Sequence, residues 1–151
     1  MKHDILGEIK RDSDDGAASI DYESRKIDVK IIPDGQPFET ALKLAADVVA
    51  RLGEYDMTAK QIIVKDLRGT YNSGWNEFDE VQEDGSLKAV TNPQRSAAEF
   101  EKRFSLVGIN VTGNTVVTLF YEDSGLFWGH SVFVSSLNGM DFSDAHADFF
   151  G

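Results

Sequence analysis

The chain has 151 residues, 41% apolar and 27% charged, which describes one soluble globular domain (residues 1–151) with a core of its own and excludes a disordered polymer. Its formal net charge of −11 repels phosphate backbones, so nucleic acid is not an expected partner. The absence of cysteine removes disulfides and thiolate metal sites, and no apolar run approaches the about 18 residues that span a bilayer.

Met1-Lys2-His3-Asp4 lead into a strand-like stretch without a signal-peptide apolar region, so a cytoplasmic location is expected. Residues 5–11 and 19–22 read as strands around the turn Asp12-Ser13-Asp14-Asp15-Gly16. That turn superficially resembles a calcium loop but lacks the closing glutamate at the required distance. Ile27-Asp28-Val29-Lys30-Ile31 alternates with period two, the pattern of a half-buried strand. These runs form an antiparallel meander ending at Pro33-Asp34-Gly35.

Pro37 suits the first turn of a helix. Phe38, Ala41, Leu42, Ala45, Val48, Val49 and Leu52 then recur at helical spacing, with Gly53 as the expected stop. Asp56 is placed to cap a second helix carrying Ala59, Ile62, Ile63 and Leu67 on one face. That helix is expected to fray near Gly69-Thr70-Tyr71-Asn72-Ser73-Gly74. This stretch follows a helix and has no Gly-Lys-Ser/Thr, so it is no phosphate loop. Tyr71 and Trp75 are expected to pack inward, the alternative being a partner-facing patch. Residues 76–92 are acidic and read as a long loop, and Ser96-Ala97-Ala98-Glu99 is a capping box for a short third helix.

Residues 106–111, 116–121 and 126–134 are the expected C-terminal strands, with Gly125 in the left-handed position of the loop between the last two. Ala147, Phe149 and Phe150 can add an edge strand. Strands, then helices, then strands make an α+β fold: a mainly antiparallel sheet, N-terminal meander plus C-terminal hairpins, with two or three helices packed on one face.

Leu126-Phe127-Trp128-Gly129-His130-Ser131 is the most distinctive segment. Together with Gly7-Glu8, the strand at 27–32, the helix at 40–52, Tyr71-Asn72-Ser73-Gly74-Trp75, Phe100, Phe104, Tyr121-Glu122-Asp123-Ser124-Gly125 and Gly151, it resembles an uncharacterised bacterial family, a domain of unknown function with a C-terminal Leu-Phe-Trp-Gly-His-Ser signature. The resemblance covers nearly the whole chain. It departs at Ser124, where that family tends to carry glycine or another acid. Similar small acidic bacterial domains occur among immunity proteins that neutralise toxins, and this is all the function that the resemblance implies.

As a strand, residues 126–134 would place Trp128 and His130 on one face and Phe127 and Ser131 on the other, both faces apolar, which predicts a central strand and a half or fully buried His130. Imidazole can act as base or ligand, but the expected role is a hydrogen-bonded structural histidine. His130 and Ser131 point apart and cannot form a nucleophile–base couple. His146 and Asp148 could offer a bidentate pair on one strand face, without the spacing of a zinc site. No catalytic residue, cofactor or metal is assigned.

The acids decide the leading expectation. Residues 105–151 hold Glu122, Asp123, Asp141, Asp144 and Asp148 with no Lys or Arg, and residues 76–92 hold Glu77, Asp79, Glu80, Glu83 and Asp84 against Lys88. The sequence therefore predicts a non-enzymatic acidic protein-interaction domain for a basic protein, such as an immunity-type inhibitor of a basic toxin. Its contacts would come from Glu77, Glu80, Glu83, Asp84, Asp123, Trp128 and His130. The alternative is a small enzyme or ligand-binding domain with a pocket near Trp128 and His130. Oligomeric state stays open.

Overall fold

The computed structural model describes residues 1–150. Its centre is a seven-stranded sheet. The N-terminal half supplies β3 (Lys10–Asp12), β4 (Asp15–Tyr22) and β5 (Arg25–Ile32) as an antiparallel meander, after a short ladder between β1 (Lys2–His3) and β2 (Gly7–Glu8). The C-terminal half supplies β8 (Ser105–Thr112), β9 (Val116–Glu122), β10 (Ser131–Ser136) and β11 (His146–Phe150), antiparallel throughout. The halves join where β5 runs parallel to β8. A parallel pair needs a long crossover, and the helices fill it. These are α1 (Phe38–Ala50), α2 (Leu52–Thr70) and α3 (Ala97–Glu101). The fold is α+β with helices packed on a mainly antiparallel sheet.

Alternation selects the buried face. Ile27, Val29 and Ile31 of β5 are buried, and Lys26, Asp28 and Lys30 between them are exposed. Val117, Leu119 and Tyr121 of β9 and Val132 and Val134 of β10 extend the same surface. Ala41, Ala45 and Val48 of α1 and Ala59, Ile63 and Leu67 of α2 cover it. Each buried aliphatic of Val to Leu size contributes about 1.5–3 kcal/mol relative to exposure, which makes this interface the main cohesive term. Gly16 permits one close approach: a Cβ there would lie 2.8 Å from the Phe38 ring, whose centroid the Arg11 guanidinium approaches to 3.6 Å.

Five local expectations need correction. Residues 5–11 are not one strand, because the His3 ring accepts hydrogen bonds from the Ile5 and Leu6 amides and bends the chain into a turn. Gly53 does not end the first helix: the break falls at Arg51 (φ −122°, ψ 30°), and Gly53 lies inside α2. Asp56 is no cap; it lies within α2, only 3% exposed. The second helix does not simply fray, since residues Tyr71–Trp75 form a π-helical turn, with the Asn76 amide donating to the Tyr71 carbonyl at 3.0 Å. Residues 76–92 are not a loop but a hairpin, β6 (Glu77–Val81) paired with β7 (Leu87–Thr91). The capping box at Ser96 forms as read, its hydroxyl accepting from the Glu99 amide at 3.2 Å.

Candidate functional site

The segment between β9 and β10 is a compact turn, and β10 begins only at Ser131. Asp123 organises it. One carboxylate oxygen accepts from the Gly125 amide at 2.9 Å and the other from the Phe127 amide at 2.8 Å. Leu126 and Phe127 are thereby driven into the core, and the chain reverses at Trp128 (φ 54°) and Gly129 (φ 87°). His130 closes the turn: its Nδ1 lies 2.7 Å from the Phe127 carbonyl, which can only accept, so Nδ1 carries the proton. Ser124 also adopts positive φ (56°) and exchanges hydrogen bonds with Arg103.

The strand expected at 126–130 is therefore replaced by a left-handed turn, and Trp128 and His130 do not share a sheet face. Trp128 points outward, 55% exposed, while His130 is half-buried. Trp75, from the π-helical turn, is the ring that unites them. Its centroid lies 5.0 Å from Trp128, 5.2 Å from His130, 5.4 Å from Phe127 and 4.9 Å from Phe149. Phe127 and Phe149 stack at 4.8 Å behind it. Such pairs add about 0.5–1.5 kcal/mol each beyond area burial and hold the rings of the platform together. On its outer side lies an open groove of about 600 Å³ lined by Gly69, Thr70, Ser73, Gly74, Trp75 and Trp128. His130 does not line it.

The second feature is the β6–β7 arm. It pairs only with itself and joins the body through Asn76 and Asn92: the Asn92 amide donates to the Asn76 carbonyl at 2.7 Å, and the Asn76 side-chain amide donates to the Asn92 carbonyl at 2.9 Å. In register, Glu77, Asp79 and Val81 oppose Thr91, Ala89 and Leu87, while Phe78 opposes Val90 and Glu80 opposes Lys88. At the tip Val81 is 70% and Leu87 66% exposed. Asp84 accepts from the Ser86 hydroxyl at 2.6 Å and the Ser86 amide at 2.9 Å, and these bonds hold its carboxyl below the usual carboxylate range.

The structure thus gathers Glu77, Glu80, Glu83 and Asp84 on one arm and sets Trp128 beside the arm's root, since Trp75 immediately precedes Asn76. Asp123, expected on the contact surface, is only 6% exposed and is occupied by the turn. His146 and Asp148 are exposed on edge strand β11, where His146 Nδ1 lies 3.8 Å from Asp66. Among the described residues no group of three or more His, Cys, Asp or Glu is placed to hold a metal ion.

A family model described as an uncharacterised protein conserved in bacteria (DUF2262) matches residues 3–146. The chain belongs to this family. No curated protein and no solved structure matches it.

In this DUF2262 member, two features differ from what was expected of the sequence. The arm carried a usable signal, Asp84-Gly85 between two short runs, 77–81 and 87–91, a pattern that favours a hairpin turn. Asp56 carried none. Its carboxylate accepts from Tyr22 at 2.8 Å and from Tyr121 at 2.7 Å, with Lys60 Nζ at 3.5 Å, and those partners come from distant segments. Burial, together with the Asp56 charge and hydrogen bond, pushes both phenols well above their ordinary range.

Proposed function

We propose that this DUF2262 member is a non-enzymatic, cytoplasmic interaction domain that uses the β6–β7 arm to bind a basic protein, a toxin held by an immunity-type inhibitor being one partner of this kind. The observation that carries the reading is the arm itself. An isolated two-stranded hairpin is marginal in water, and this one leaves Phe78, Val81 and Leu87 partly or largely exposed beside Glu77, Asp79, Glu80, Glu83 and Asp84. Val81 pairs across the arm with Leu87 and Phe78 with Val90, yet Val81 and Leu87 remain largely open to solvent. An apolar tip flanked by carboxylates fits a partner surface with an apolar patch inside a basic rim: the acids steer the encounter and the tip supplies the buried contact.

The test compares the native chain with one in which residues 77–91 are replaced by a short glycine-serine turn between Asn76 and Asn92, whose backbones are already hydrogen-bonded. A partner captured from bacterial lysate is identified, purified and returned to both proteins. The reading expects a basic partner whose association rate falls as salt rises and drops at least tenfold without the arm. A partner bound equally well by the armless protein, or one that is not basic, would overturn it.

A further inference from the structure

Trp128 is in the wrong place for a purely structural residue. A left-handed backbone position favours glycine or asparagine and is a genuine outlier for a bulky side chain, yet here it holds an indole that is 55% exposed. Backbone preference does not explain a tryptophan there, and its contact with Trp75 leaves more than half of the residue exposed. The turn nonetheless fixes it firmly, through the two Asp123 hydrogen bonds and the His130–Phe127 bond. A strained, exposed aromatic on a braced turn has the character of a binding residue.

The wall facing it is also unusual. The π-helical turn Tyr71–Trp75 continues the C-terminal end of α2, and π-helical turns occur frequently at functional sites. A helix C-terminus is the negative pole of the helix dipole. The Ser73 hydroxyl donates its proton to the Gly69 carbonyl at 2.6 Å, leaving its oxygen as an acceptor. None of the six lining residues is ionisable. Arg68, in the last turn of α2, is turned to the Arg95 carbonyl at 3.4 Å and does not line the groove. The groove therefore combines indole surface with the hydroxyl oxygens of Thr70 and Ser73 and has no cation among its lining residues. That combination attracts positive charge.

We propose that the groove between Trp75 and Trp128 receives a single cationic side chain, arginine or lysine, from the basic partner of the arm. This rests on the proposed function and adds an anchor to it. The groove and the arm are consecutive in the chain, Trp75 leading through Asn76 to Glu77, so a partner drawn in by the arm's carboxylates arrives beside the groove. Arginine is the better fit, because its planar, weakly hydrated guanidinium stacks on aromatic rings while its N–H groups reach oxygen acceptors.

The site contains its own reporter, since Trp75 and Trp128 are the chain's two tryptophans. A blocked Gly-Arg-Gly peptide is titrated into the full chain while tryptophan emission is followed, beside the same peptide with neutral citrulline in place of arginine. The expected result is a saturable change with arginine, at least tenfold weaker with citrulline, unchanged in the armless protein and lost in Trp128→Gly. Trp128→Asn, which also tolerates the left-handed position, serves if the glycine variant loosens the turn. No saturable change up to peptide concentrations on the order of 10 mM, an equal response to citrulline, or a response that survives both Trp128 variants would overturn the proposal. Dependence of the peptide response on the arm would also overturn it, by assigning the binding to the arm's carboxylates. Loss of partner capture without the arm is read separately, so the two ideas fail independently.

Discussion

Tyr121 donates its phenolic hydrogen to the Asp56 carboxylate at 2.7 Å, joining β9 to the second turn of α2. Tyr22 of β4 reaches the other carboxylate oxygen at 2.8 Å. One buried acid thus pins strands from both halves of the sheet to one helix. Asp56→Ala leaves two hydroxyls without their acceptor, one of them deeply buried, and is expected to cost about 2–3 kcal/mol. Tyr121→Phe should cost about half as much. Urea unfolding measures both, and a double-mutant cycle near zero coupling would show that the pair does not act as a unit.

The same pin sets a limit at alkaline pH. Both tyrosines hold their protons more tightly in the folded chain than their ordinary value of about 10. Their contribution is fully present below that value. Above it the unfolded chain releases protons that the folded chain retains, so stability falls as pH rises. Unfolding free energy is expected to stay level in this respect up to about pH 10 and then decline. The Tyr22→Phe, Tyr121→Phe double variant should decline less steeply, and equal slopes would count against the assignment.

Asp123 is the keystone of the turn that presents Trp128. Asp123→Ala frees the Gly125 and Phe127 amides and should cost about 2 kcal/mol. Asp123→Glu, longer by one methylene, should not restore the geometry. Near-ultraviolet circular dichroism of the two indoles reports the change, and an unaltered spectrum in Asp123→Ala would show that the turn holds without its carboxylate.

His130→Ala removes the bond to the Phe127 carbonyl and the edge contacts with Trp75 and Phe149. Because the ring is half-buried, the expected loss is about 1 kcal/mol, with the fold intact. Thermal unfolding decides this: a change of less than a few tenths of a kcal/mol would leave the histidine's placement without a structural reason.

The arm should open independently of the body. Amides of residues 77–81 and 87–91 are expected to exchange far faster than those of β5, β8 and β9. The armless protein should unfold within a few degrees of the native chain. A large drop in its melting temperature would mean that the arm contributes to the core after all.

The elements legible in the sequence were those whose pattern is local. Period-two alternation at Ile27, Val29 and Ile31 and helical spacing from Phe38 onward report burial of one face, and burial follows directly from residue type. Ser96 with Glu99 marks a helix start because both partners lie within one turn. From such signals the α+β class, the N-terminal meander and the terminal edge strand could be read, as could the separation of the acids from the basic residues. The tertiary structure alone decided the rest. Residues 126–130 are as apolar and aromatic as a strand, and what turned them was the buried Asp123 bonding its own neighbours ahead of it. Whether Asp56 caps a helix or binds two tyrosines depends on partners at Tyr22 and Tyr121 that only folding delivers. Trp75 meets Trp128, His130 and Phe149 for the same reason. Pattern along the chain fixes which side of an element is buried, whereas a site is made by side chains distant in sequence, and their meeting is set by packing.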